Sequence, residues 1–110
     1  MSIWQTVCEK DVLIADTGVC ALVGDEQVAI FLSGFDDALY AINNFDPIGK
    51  ANVLSRGIIG SIDDKVVVAS PLYKQHFCLT SGQCIEQEDI FVSTYEIRID
   101  GNQIQVALGA

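Results

Sequence analysis

Asp100-Gly101 sits between two runs that alternate apolar and polar residues, and no other feature limits the fold of this chain so strongly. Before it comes Thr94-Tyr95-Glu96-Ile97-Arg98-Ile99, and after it Asn102-Gln103-Ile104-Gln105-Val106. Asp-Gly in such a setting is among the strongest local signals for a β-hairpin, because glycine supplies the positive φ that a tight turn demands. Tyr95, Ile97 and Ile99 then share one face, where Ile104 and Val106 can meet them from the partner strand. The same pattern recurs along the chain. Segments 19–23 and 27–32 flank Gly24-Asp25-Glu26, and 58–62 and 65–69 flank Asp63-Asp64. Segments 4–7, 38–42 and 76–79 read as further strands, the last turned by Thr80-Ser81-Gly82. Val66-Val67-Val68 is β-branched throughout, as a strand buried on both faces would be. No segment keeps a helical period; 11–22 and 83–90 are the least regular and have room for a helical turn each.

A chain of 110 residues with no linker or repeat is expected to be one domain, 1–110. Half its residues are hydrophobic and its mean hydropathy is +0.35, which excludes a disordered tail and gives ample material for a core. Fifteen acids against six bases leave a net charge of −9. Nucleic acid and anionic membrane both require clustered Lys and Arg, so neither is an expected partner. The acids solvate the exterior and can steer the chain toward a basic protein surface.

Chemistry-bearing residues are sparse. Cys8, Cys20, Cys78 and Cys84 contain no Cys-x-x-Cys pair, and His76 is the only histidine, so buried free thiols fit better than zinc or disulfides. The glycines form no dinucleotide or phosphate-binding pattern. His76 reads as a hydrogen-bonded structural residue, with Cys78 on its face of the strand. Asp36-Asp37, Asp63-Asp64 and Glu86-Gln87-Glu88-Asp89 lie in expected turns, where carboxylates are commonly solvated. Ser70 and Tyr73 lack an evident histidine–acid pair to activate them. Met1-Ser2-Ile3-Trp4-Gln5 offers no secretory signal and no apolar run is long enough to span a bilayer. With reduced cysteines, the expected compartment is the cytoplasm.

Two segments carry a more specific signal: Tyr40-Ala41-Ile42-Asn43-Asn44-Phe45-Asp46-Pro47-Ile48-Gly49 and Ala69-Ser70-Pro71-Leu72-Tyr73-Lys74-Gln75-His76-Phe77. In spacing and flanking residues they resemble the two ligand loops of Rieske proteins, Cys-x-His and Cys-Pro-x-His. Laid over that pattern, the cysteine positions fall on Asp46 and Ser70, and the histidine positions on Ile48 and Tyr73. Trp4, the Gly24-Asp25 hairpin and the closing hairpin extend the resemblance over nearly the whole chain. The stretches Thr17-Gly18-Val19-Cys20-Ala21-Leu22, Val53-Leu54-Ser55-Arg56-Gly57 and Val68-Ala69-Ser70-Pro71-Leu72 resemble the small subunit of assimilatory NAD(P)H-dependent nitrite reductase, which also lacks the ligands.

The resemblance implies an all-β, Rieske-like antiparallel sandwich or barrel, with a cluster-binding-like subdomain at about 40–79 and no cluster. It implies a large-subunit partner carrying FAD, a [4Fe-4S] cluster and sirohaem, which reduces nitrite to ammonium with nicotinamide electrons. On this chain it implies no catalytic residue, cofactor or metal; the contribution is made by contact. Phe45, Ile48, Leu72 and Tyr73 are the candidate interface residues. Together with Pro47 and Pro71 they are expected to fill the volume a cluster would occupy, or to form an apolar patch rimmed by Asp46, Lys50 and Lys74. The alternatives are a Rieske-type ferredoxin electron carrier, against which the missing ligands argue directly, and a stand-alone β-domain binding module.

Overall fold

The structure, a computed structural model, describes residues 3–108; Met1 and Ser2 of the leader reading, with Gly109 and Ala110, lie outside the described residues. Twelve strands form in chain order among them: β1 (Ile3–Glu9), β2 (Gly18–Val23), β3 (Glu26–Leu32), β4 (Leu39–Asn43), β5 (Phe45–Asp46), β6 (Ala51–Asn52), β7 (Ile58–Ile62), β8 (Lys65–Ala69), β9 (His76–Cys78), β10 (Thr94–Tyr95), β11 (Ile97–Asp100) and β12 (Gln103–Leu108). They pair antiparallel in four sheets, ordered β1-β12-β11, β10-β4-β3-β2, β5-β6 and β7-β8-β9. The architecture is all-β, as the turn-punctuated sequence requires, and the strands do not close into a barrel.

β3 explains how the parts are held together. Val28, Ala29, Ile30 and Phe31 are all fully buried, so this strand has a core on each face. Alternation sends Val28 and Ile30 toward Ile104 and Val106 of β12, and Ala29 and Phe31 toward Val68 and Phe77 of the β7-β8-β9 sheet. The valine run of β8 behaves as its sequence demands, with Val66, Val67 and Val68 all buried.

The hairpins follow turn chemistry. Asp63 and Asp64 both adopt positive φ, 49° and 66°, which is the pattern of a type I′ connection between β7 and β8. The closing hairpin differs from expectation by one residue. Asp100 pairs with Gln103, so the loop is Gly101-Asn102 and only Gly101 carries positive φ. The run from 94 to 99 is also two strands rather than one. Tyr95 pairs with Ala41 of β4, and its hydroxyl meets Asn43 and Glu26, whereas Ile97 and Ile99 pair with Val106 and Ile104. The chain therefore changes sheets at Glu96, yet Tyr95 and Ile97 still pack on the one cluster that holds Ile104 and Val106, as expected, while Ile99 is left exposed.

Of the two irregular stretches, the first region holds a 3₁₀ turn at Lys10–Val12. The second holds no helical turn: Phe77 bridges Cys84, laying 83–85 beside β9, and Gln83 bridges Phe91, folding 90–92 back along 82–84. Gly82 makes this return possible, since its φ is +80° and an added Cβ would lie 2.1 Å from the carbonyl oxygen of Val92. A 3₁₀ turn at Leu54–Arg56 was not anticipated.

Candidate functional site

The two singled-out loops fold as the same turn used twice. Each begins with a buried polar residue, Asp46 or Ser70, followed by one of the chain's two prolines. Four residues on, a lysine in left-handed backbone, Lys50 (φ 59°) or Lys74 (φ 67°), donates its N–H to the carbonyl of that first residue, at 2.7 and 3.1 Å. The first side chain also braces its own turn. Asp46 Oδ1 accepts the N–H groups of Ile48 (2.8 Å) and Gly49 (3.0 Å), and Ser70 Oγ accepts that of Leu72 (3.3 Å). Such side-chain-to-backbone bonds are what Asp and Ser contribute to turns.

The two turns meet. Ser70 Oγ donates to Asp46 Oδ2 at 2.5 Å, and both residues are fully buried. Leu72 lies over Gly49, where an added Cβ would fall 2.4 Å from its Cδ1, so glycine is needed there for space. The approach to the first turn is fixed by Asn44, which is buried. Its Nδ2 donates to Gln27 Oε1 at 3.1 Å and its Oδ1 accepts the N–H of Ser55 at 2.7 Å.

The placement of the expected residues is mixed. Asp46 was expected on an exposed rim and is instead at the centre, because its carboxylate is needed by three donors. Polar atoms, not apolar side chains, therefore occupy the heart of the site. Ile48 is half-buried and packs on the core cluster containing Phe31 and Phe77, so it is an interior residue as much as a surface one. Phe45, Leu72 and Tyr73 remain outside, at 41, 44 and 65% exposure. Phe91, 56% exposed, lines a recess of about 160 Å³ with Phe45 and Pro47, and nothing in the sequence set it beside the first loop.

Two further groupings were not legible in the sequence. Glu86 pairs with His76, accepting its backbone N–H at 2.8 Å and facing ring Nδ1 at 2.6 Å. A histidine–acid pair thus exists, but Ser70 donates to Asp46 instead, and the side chain that reaches the pair is the buried Cys84 thiol, whose Sγ donates to Glu86 Oε1 at 3.8 Å. Burial pushes the Glu86 carboxyl up, and the His76 backbone and ring bonds outweigh this and hold it below the usual range. Separately, Cys78 lines an open cleft of about 540 Å³ with Tyr40, Lys65 and Ser81. Burial there raises the thiol, but the Ser81 hydroxyl and N–H, the Thr80 N–H and the Lys65 charge more than offset it. All four cysteines are free thiols.

The Glu86 pair gives a pH prediction. A carboxyl lowered in the folded state adds stability above its unfolded value, about 4.3, and that stability is lost as pH falls through the lower folded value. The pair is partly exposed, so its worth is at most about 1 kcal/mol. Glu86→Gln is expected to lower Tm at pH 7 and to converge with the parent chain below pH 4. Thermal melts from pH 3 to 7 check this; a constant gap across the range would refute it.

The whole domain has relatives. The model of the Rieske-like [2Fe-2S] domain matches residues 3–107. The Nitrite reductase (NADH) small subunit of Escherichia coli (strain K12) is 46% identical over 106 residues, covering 96% of this chain and 98% of that one. The solution structure of the E. coli protein NirD superposes with a TM-score of 0.91 at 45% identity, covering both chains completely. A Nitrite reductase [NAD(P)H] large subunit from Klebsiella oxytoca is 34% identical over 103 residues, 94% of this chain but only 11% of that one.

A Rieske cluster needs two thiolates on one iron and two imidazoles on the other. The equivalent positions here do not fit that group. Asp46 and Ser70 are spent on each other, Ile48 has no lone pair, and Tyr73 points a phenol at solvent. Among the described residues, no three His, Cys, Asp or Glu side chains converge as a metal site would need.

Proposed function

Because the chain belongs to the Rieske-like [2Fe-2S] domain family, alongside the small subunits of NADH nitrite reductase, we propose that it is the non-catalytic small subunit of an NAD(P)H nitrite reductase. In this reading the chain acts in the cytoplasm, in nitrite assimilation. Its partner is a large subunit carrying FAD, a [4Fe-4S] cluster and sirohaem, which converts nitrite to ammonium. Such chemistry needs a hydride acceptor, a one-electron relay and a haem, and this chain supplies contact with the machine that holds them.

One observation carries the reading. The two loops that would grip a cluster are closed by a hydrogen bond between the ligand-equivalent residues themselves. A fold kept along its whole length while its metal ligands are replaced retains only surfaces with which to act. The Klebsiella relative supports the choice of partner, since a domain like this one is there part of a large-subunit polypeptide. Phe45, Leu72 and Tyr73 are the docking face in this reading, with Ile48 beneath them.

Co-expression with the large subunit tests it. The chain should co-purify with the large subunit, and nitrite-dependent oxidation of the nicotinamide should fall when it is omitted. Purified alone it should be colourless and hold no stoichiometric iron. Identical activity and assembly with and without the chain would refute the subunit reading, and a brown, iron-loaded protein would favour the electron-carrier alternative.

A further inference from the structure

The Rieske family uses its cluster to join two loops from different parts of the chain, and here the residues cannot bind one, yet the loops are joined. Ser70 Oγ donates to Asp46 Oδ2, both residues are wholly buried, and each side chain also braces its own turn. The first turn is reached from β4 and the second from β8, so no local geometry fixes one relative to the other. Among the described residues, this bond is the polar tie between their ligand-equivalent side chains, with Leu72 over Gly49 as the apolar contact beside it.

We propose that the Asp46–Ser70 hydrogen bond is a positioning clasp that replaces the cluster's structural role, holding both turns so that Phe45, Leu72 and Tyr73 form a preformed docking surface for the large subunit. The proposal rests on the tip being the docking face. The occupant is argued from the Klebsiella polypeptide, where such a domain and a large subunit share one chain. Charge agrees with a distinct face. Two of the six bases, Lys50 and Lys74, sit at the tip of a chain of net charge −9, suiting a partner patch that is apolar with an acidic rim. A surface already ordered loses less freedom on binding than one that must be ordered by the partner.

Ser70→Ala separates the clasp from the fold. Ile48 and Gly49 bond to Asp46, not to Ser70, so any change at their amides is transmitted through the lost bond. In the variant, hydrogen exchange at these two amides should rise about tenfold, as should the Kd for purified large subunit, while spectral dispersion stays that of a folded domain. Asp46→Asn, with Ser70 in place, keeps an acceptor for the two N–H groups and a donor for the Ser70 hydroxyl, and should leave both values close to the parent's. Should Ser70→Ala not fold, Ser70→Cys offers a weaker donor of similar size and the same readouts. Unchanged exchange at Ile48 and Gly49 overturns the clasp. Faster exchange with unchanged affinity, while Tyr73→Glu still weakens binding, overturns its role in docking. Should Tyr73→Glu also bind normally, the tip is not the docking face and the reading beneath the proposal fails.

Discussion

Phe77→Ala is expected to cost the fold about 3–5 kcal/mol, the penalty for emptying a large, fully enclosed aromatic site. Phe77 has no exposed surface, pairs with Val68 of β8 and bridges to Cys84, so it lies between the β7-β8-β9 sheet and the returning segment. Its cluster includes Ala29 and Phe31 of β3, Leu54 of the 3₁₀ turn and Val92. Neighbours drawn from four separated segments cannot collapse together into the gap, which places the cost toward the upper end. A domain of this size is stable by roughly 5–15 kcal/mol, so this one side chain decides a large share. Urea denaturation should give a midpoint lower by at least about 1 M with an unchanged slope. Phe91 provides the contrast, because it is 56% exposed and Phe91→Ala should cost under about 1 kcal/mol. Equal losses in the two variants would refute this division of core from surface.

Hairpins and buried strands were legible because they depend on neighbours in sequence. Asp63-Asp64 between apolar runs and the valines of β8 appear in the structure as read. Where tertiary pairing competes with local alternation, the sequence misleads. The run around Glu96 alternates without interruption, yet β4 claims Tyr95 and β12 claims Ile97. The second half of the chain hid more. His76 and Glu86 lie ten residues apart, and the return of 83–85 along β9 brings them together. For Asp46, the usable signal lies in the likeness of the two loops to each other. Asp46-Pro47-Ile48-Gly49-Lys50 and Ser70-Pro71-Leu72-Tyr73-Lys74 share a polar residue, a proline and a lysine at equal spacing. Compared with metal-binding loops they show only missing ligands; compared with each other they show a repeated turn whose leading side chains need donors and acceptors. That they supply these to one another depends on the packing of two sheets, which no local pattern encodes.

Tyr73→Glu should weaken binding of the large subunit by about thirtyfold or more, equivalent to about 2 kcal/mol, as expected when a central aromatic anchor becomes a charge. Tyr73 suits the test because it is 65% exposed and no shared buried bond depends on it, so the free chain should lose less than about 0.5 kcal/mol. Ile48→Glu is a poorer probe. Ile48 packs on the cluster containing Phe31 and Phe77, so a carboxylate there would threaten folding as well as docking. Phe45→Glu, at 41% exposure, tests the other turn, and Leu72→Glu is confounded by its contact with Gly49. If Phe45 and Tyr73 belong to one buried patch, the double variant should lose binding altogether. Ile3, exposed at the start of β1 in a sheet that contains neither turn, serves as the control, and Ile3→Glu should bind as the parent does. Calorimetric titration into the large subunit gives the affinities, and nitrite-dependent nicotinamide oxidation should fall in the same order when the chain is limiting. Folded Phe45→Glu and Tyr73→Glu chains that bind and support turnover as the parent does would move the docking face elsewhere, and an effect at Ile3 would place it near the β1-β12-β11 sheet.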